Sequence, residues 1–222
     1  MRIFPLGETA LTIEFGNEIS LELNHRSISL AAVLSADPFP GMIEAVPAYS
    51  SVTVFYDPLK VVRPLPQISS SFAAVETMIR EIVDRIEDTE INERRIIEIP
   101  VHIDEVSSPD LATVCEFSGL GSKSVVDLFL GRTYRVYMLG FLPGFAYMGE
   151  VDERIAAPRL KTPRTKVPAG SVGIAGLQTG IYPLESPGGW NIIGRTDLKM
   201  FDAGSSEPCL LRPGDEVRFV SQ

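Results

Sequence analysis

Ten of the 18 glycines and six of the 17 prolines fall between Gly140 and Thr196. Breakers at that density deny the segment a long helix and leave short strands joined by turns. Its uncharged run from Val167 to Leu184 spans 18 residues, the length at which a membrane span begins to be considered. Pro168, Gly170, Gly173, Gly176, Gln178, Gly180 and Pro183 interrupt that run, so it reads as buried strand and turn. Short apolar runs between glycine and proline predict a small closed or nearly closed β-barrel. The functional surface is expected in this half, from Gly140 to Thr196.

The chain before Gly140 is patterned differently. Ala10 to Phe15 is partly alternating and stops at Gly16-Asn17, a strand signal. Ile19, Leu23, Leu30 and Leu34 share one face of a helix predicted over 19–34, and Asp37-Pro38-Phe39-Pro40-Gly41 ends it. Strands follow at Ile43–Pro47 and Ser51–Tyr56. Phe72, Val75, Ile79, Ile82 and Ile86 form the stripe of a second helix, with Ser69-Ser70-Ser71 as N-cap candidates. A last strand, Ile96–Ile103, closes this half. The pattern predicts an α+β domain, two helices on one face of a mostly antiparallel sheet. The charged stretch Glu87 to Arg95 is the expected hinge, which sets the domains at 1–92 and 93–222. Beyond it, Ser108-Pro109 reads as an N-cap and first helical residue. A second helix is predicted near Ser122 to Leu130, and a strand at Tyr134–Leu139.

Composition narrows the partners. A net charge of -9 argues against nucleic acid, whose phosphates need clustered Lys and Arg. Cys115 and Cys209 lie far apart without CxxC spacing, which predicts free thiols in a reducing, cytoplasmic compartment and no metal site. Met1-Arg2-Ile3-Phe4-Pro5 has no apolar signal core, and a soluble protein without membrane contact is expected.

Several familiar chemistries lack their residues. Gly119-Leu120-Gly121-Ser122-Lys123-Ser124 is too short to cradle phosphates, and His25 and His102 are the only histidines. Ala169-Gly170-Ser171-Val172-Gly173 approaches a nucleophile elbow, but both histidines precede the serine, so it reads as a turn. Three segments remain. Gly140 to Gly149 is either a barrel corner or a rigid aromatic loop against a ligand. Arg154, Arg159, Lys161, Arg164 and Lys166 reverse the local charge, as an anion site or a solvated surface would. Gln178 to Trp190 brings together an amide, a hydroxyl, Tyr182, Glu185 and the sole tryptophan. Glu185, the one carboxylate between Glu153 and Asp197, is either a general acid-base or a structural partner of Arg164 or Arg195.

These segments resemble a known family. Thr162 to Gly176, Gln178 to Trp190, Gly140 to Gly149 and Ile193-Gly194-Arg195-Thr196 look like the 5-oxoprolinase B-subunit family, also called the KipI or allophanate hydrolase subunit 1 family. The N-terminal half agrees more loosely, through Glu14-Phe15-Gly16, Asn24-His25-Arg26 and Tyr56-Asp57-Pro58. The resemblance implies an α+β domain followed by a cyclophilin-like β-barrel. It implies an enzyme active only with the A and C subunits of 5-oxoprolinase, cleaving 5-oxoproline to glutamate with ATP bound by or with a partner. This chain itself would carry no metal and no biotin attachment site. Two other roles come with the family: inhibition of a histidine kinase, and part of a biotin-dependent carboxyltransferase acting on a urea-like amide. The candidate catalytic residues are Arg164, Glu185, Gln178 and Tyr182. Candidate substrate-binding residues are Pro143, Gly144, Phe145, Lys166, Gly170, Ser171, Thr179, Gly188, Gly189 and Trp190. The sequence departs from the family in two places. Ile103-Asp104-Glu105-Val106-Ser107-Ser108-Pro109-Asp110-Leu111 keeps only the end of Tyr-Gly-Gly-Glu-Phe-Gly-Pro-Asp-Leu, and Phe129-Leu130 replaces His-Thr.

Overall fold

A computed structural model describes residues 1–64, 70–85 and 95–222. The chain divides into two compact units, Met1–Glu93 and Arg94–Gln222. Of the stretch expected as a hinge, only Arg95 lies within the described residues.

In the first unit, period-two alternation puts every second side chain of two strands into the core. Leu11 and Ile13 of β2 (Ala10–Glu14) stand opposite Val54 and Val52 of β4 (Ser51–Tyr56), and all four are buried. β1 (Arg2–Pro5) and β3 (Met42–Pro47) flank them, giving an antiparallel sheet in the order β1-β2-β4-β3. Three helices accompany the strands: α1 (Leu21–Ala36) between β2 and β3, then the short α2 (Pro58–Val62) and α3 (Ser71–Val83) after β4. Ser20 and Ser70 cap α1 and α3 by accepting the N–H of Leu23 and Ala73. The stripe of α3 packs Val75 and Ile79 into the core with Phe72 and Ile82 beside them, while Ile86 lies outside the described residues. The apolar stripe expected on α1 is only half right. Leu30 and Leu34 are buried, but Ile19 precedes the helix and is exposed, and the buried face also holds Asn24 and Ser27. Asn24 donates to the Ala48 carbonyl and Ser27 to that of Leu23, so neither polar group is stranded.

The strand expected to close this half belongs to the second unit. β5 (Ile96–Val101) runs parallel to the last strand of the chain, β13 (Glu216–Ser221). Between them come α4 (Leu111–Ser118), α5 (Ser122–Leu130), β6 (Thr133–Leu139), β7 (Ala146–Gly149), β8 (Arg164–Val167), β9 (Ser171–Ala175), β10 (Gln178–Ile181), β11 (Ser186–Gly188) and β12 (Asn191–Arg195). The larger sheet has the order β12-β9-β10-β7-β6-β13-β5. Its two edges meet where His102 and Arg195 exchange both backbone hydrogen bonds, at 2.8 and 3.0 Å. The sheet is thereby nearly closed, as the glycine-rich texture predicts, and takes the barrel form that the family resemblance implies. β8 and β11 form a separate antiparallel pair. Inside the barrel, Val136, Met148, Val172, Ile174, Ile181, Val217 and Phe219 make one core with Val114 of α4 and Phe129 of α5.

Helix α4 begins later than expected. Asp110, not Ser108, occupies its N-cap position, and the Ser108 hydroxyl instead donates to the Ile193 carbonyl on β12. Pro109 therefore precedes the helix. Both cysteines are free and half-buried, and no helix among the described residues is long and apolar enough to cross a membrane.

Candidate functional site

Two features occupy the glycine-rich half, and they share Val167 and Ile192 between them. The first is an aromatic cluster. Gly173 and Gly180 stand directly opposite each other on β9 and β10. A Cβ on Gly180 would lie 3.1 Å from both Phe145 and Trp190, and one on Gly173 would lie 3.0 Å from the Trp190 Cβ. The paired glycines thus leave bare backbone on which two large rings lie. Phe145 meets Tyr147, Tyr182 and Trp190 edge to face with centroids 4.9 to 5.4 Å apart. Phe145, Tyr182 and Trp190 are buried with Val167 and Ile192 as a second core. Burial raises the Tyr182 phenol above its ordinary range, against the opposing effect of a hydrogen bond from the Trp190 backbone. Gly140 to Gly149 is thus the corner of the barrel, and its side chains build a core. Pro143 and Phe141 are exposed, and Phe141, 59% exposed, holds φ 67°, a conformation a bulky residue rarely adopts.

The second feature is a cleft of about 240 Å3 lined by Val106, Ser107, Pro109, Arg164, Lys166, Val167, Pro168, Ser171, Ile192 and Arg195. Arg164 and Lys166 are two apart on β8, so both side chains leave the same side of the strand. Arg195 ends β12. The anchor of the site is Asp110, buried at 4% exposure. One of its oxygens receives Arg164 Nη2, and the other accepts the Ile192 N–H at 2.6 Å. That arrangement fixes the guanidinium plane, while Arg164 Nη1 is buried without a hydrogen-bond partner among the described residues. Lys166 reaches Glu185 at 2.9 Å, and this contact raises the ammonium above its usual range.

Of the residues proposed from sequence, Arg164, Lys166 and Ser171 line the cleft, and Glu185 joins it through Lys166. Glu185 is 56% exposed on its side chain, so the apolar enclosure expected around it is absent, and its partner is neither Arg164 nor Arg195. Tyr182, Phe145 and Trp190 belong to the aromatic core. Thr179 is buried and donates to the Gly173 carbonyl at 2.9 Å. Gln178 opens β10 opposite Gly149 and Ala175. Gly170 turns the chain at φ 82° against the Thr196 carbonyl, beside the cleft. Gly144 turns at φ 81° against Met200 and Phe201, Gly188 leaves room for the Tyr182 hydroxyl, and Gly189 is buried near Pro163. Pro143 is exposed in the corner. The basic run is dispersed as well: Arg154 turns away to Asp152 at 2.8 Å.

Sequence reasoning missed Asp110 and Arg195 as site residues. Their signal was present, since Pro109-Asp110-Leu111 and Ile193 to Thr196 both carried the family pattern. The two departures have different fates. Phe129 is buried in the barrel core, stacked on Phe219 with centroids 4.9 Å apart, and lines no part of the cleft. The segment 103–108 supplies the cleft wall through Val106 and Ser107. Asp104 braces it by accepting both backbone N–H groups, at 2.9 and 2.8 Å, and those bonds, the Ser107 bond foremost, hold its carboxyl below the usual range.

Comparison with known proteins agrees with this architecture. Residues 1–211 match the family described as carboxyltransferase domain, subdomain C and D. A Bacillus subtilis protein named as the B subunit of 5-oxoprolinase is 48% identical over 99% of this chain and 92% of its own length. Its namesake in Escherichia coli O157:H7 is 43% identical over 100% and 96%. Among solved structures, a conserved uncharacterized protein from Pyrococcus horikoshii is 47% identical over 100% of this chain and 97% of its own, with a TM-score of 0.57. The protein TTHA0988 superposes with a TM-score of 0.82 at 38% identity, over 96% of this chain but only 40% of that longer one. Urea carboxylase from Kluyveromyces lactis shares the fold at 20% identity, with a TM-score of 0.74 over 99% of this chain and 21% of its own. On the family match and on full-length identities well above 30%, the chain belongs to the 5-oxoprolinase B-subunit family of carboxyltransferase C and D domains.

Proposed function

We propose that this chain is the B subunit of a heteromeric, ATP-dependent 5-oxoprolinase, which hydrolyses 5-oxoproline to glutamate together with the A and C subunits. The observation that carries the reading is the 36% to 48% identity, over almost the whole chain, to proteins named as 5-oxoprolinase B subunits. The cleft is in keeping with it. At about 240 Å3 it lies below the range of about 300–1,000 Å3 usual for larger ligands, so it suits a small acid, and the nucleotide belongs with a partner. Amide resonance makes the lactam resist water. ATP removes that protection by phosphorylating the carbonyl oxygen, with ADP leaving. One water then adds at the same carbon, the ring C–N bond breaks to give an acyl phosphate, and a second water releases glutamate and phosphate. Arg164, held in place by Asp110, and Lys166 stabilise the negative charge on the phosphoryl oxygens as that group passes to the carbonyl oxygen.

The test is ATP-dependent glutamate release by the chain mixed with its cognate A and C subunits. Omitting the chain abolishes release, and Arg164→Ala lowers kcat/KM by about 100- to 1,000-fold. Release that is unaffected by omission of the chain overturns the reading. The family match and the 25% identity to yeast urea amidolyase favour a second role, as part of a carboxyltransferase. A requirement for bicarbonate and a biotinylated partner separates that role from the first.

A further inference from the structure

The charges around the cleft do not stand on an equal footing. Arg164 is bound to buried Asp110, and Lys166 is bound to Glu185. Among the described residues, no carboxylate lies within ion-pair distance of Arg195. Of the three cleft cations, Arg195 is thus the one without a carboxylate partner among the described residues, and it sits at the end of β12. The Arg195 backbone is fixed from both sides, by its paired hydrogen bonds to His102 and by the neighbouring Gly170 turn, while its side chain is exposed. Val106, Pro109, Val167, Pro168 and Ile192 give the cleft an apolar wall.

We infer that Arg195 is the carboxylate reader of this cleft: it binds the monoanionic carboxylate of a small, compact acid whose carbon body lies against the apolar wall. One unpaired guanidinium matches a singly charged carboxylate better than a doubly charged phosphoryl group, and it offers the paired donors that a carboxylate accepts. The identity of the acid as 5-oxoproline rests on the oxoprolinase reading above; the ligand class does not. Arg195 is thereby separated in role from Arg164 and Lys166. It contributes equally to the bound substrate and to the transition state, whereas they act where charge develops.

The experiment has two arms. In the assembled enzyme, Arg195→Ala raises KM for 5-oxoproline by about 10- to 100-fold and changes kcat little, and Arg195→Lys recovers part of the loss. The same substitution has no such effect on 2-pyrrolidone, which lacks the carboxylate. The second arm titrates the full-length chain with 5-oxoproline, 2-pyrrolidone and inorganic phosphate, following amide chemical shifts. Saturable shifts at Arg195 and Ser171 are expected with 5-oxoproline only, and they vanish in Arg195→Ala. An unchanged KM, a fall in kcat at constant KM, or equal binding of phosphate overturns the assignment. Turnover that ignores Arg195→Ala removes the carboxylate reader and leaves the oxoprolinase. Carboxylate-specific binding in a complex that releases no glutamate does the reverse.

Discussion

Asp110 and Asp152 are both buried carboxylates of the second unit, and each captures arginine, yet they do so for different ends. Asp110 spends one oxygen on Arg164 and the other on a β12 backbone N–H, so it ties a cationic cleft wall to the barrel. Asp152 gathers Arg154 through two bonds and Arg132 through a third at 3.0 Å, and also accepts the Arg154 backbone N–H. Those contacts, the Arg154 side chain foremost, hold its carboxyl far below the usual range. The folded state therefore binds this proton more weakly than the unfolded chain, whose aspartates titrate near about 3.9. The resulting stability is complete above that pH and is lost as pH falls through the lower, folded value. Asp152→Asn is accordingly less stable than the parent at neutral pH, and the gap narrows below about pH 4. Urea unfolding monitored by Trp190 fluorescence at pH 7, 4 and 3 checks this. A gap that stays constant across the three would show that the carboxylate's charge contributes nothing.

At the scale of elements, the barrel depends on a short seam. β12 meets the end of β5 at the His102–Arg195 bridge, and Gly194 lies against it. A Cβ there would stand 2.5 Å from Val101 Cγ1 and 3.2 Å from the His102 carbonyl. Gly194→Ala must push β12 away from β5, which costs about 1–3 kcal/mol as overpacking. It also speeds hydrogen exchange at the His102 and Arg195 amides ahead of the rest of the sheet. Unaltered exchange at those two amides would mean that the seam yields without strain.

The seam also marks the boundary of what the sequence could tell. Helix α5 and strand β4 were legible because their signals are local, an apolar stripe in one and alternation in the other. β1 escaped notice because Arg2–Pro5 is too short to alternate and ends in proline. The strand at Ile96 was grouped with the strands of the first half, although the expected boundary lay before it, because its partner β13 lies more than a hundred residues away and no local pattern encodes a parallel pairing. The site divides in the same way. Arg164 and Lys166 announced themselves by charge, while Asp110 has meaning only once β12 crosses above it. The family pattern preserved Asp110 where residue chemistry gave no reason to choose it.

On the scale of the whole molecule, each unit has its own hydrophobic core: one around Leu11, Ile13, Val54 and Ile79, the other filling the barrel. The sole tryptophan, Trp190, sits in the second unit and is 5% exposed. Its fluorescence therefore reports the barrel unit alone, while far-UV circular dichroism reports both. Leu11 is fully buried opposite Val54, and Leu11→Ala removes a core side chain at a cost of about 2–5 kcal/mol to the first unit. If each core is sufficient for its own unit, urea unfolding of the variant shows an earlier transition by circular dichroism and an unmoved midpoint by fluorescence. A fluorescence midpoint that falls together with the dichroism would make the two units one cooperative system. The carboxylate-binding cleft would then depend on a core that supplies none of its lining residues.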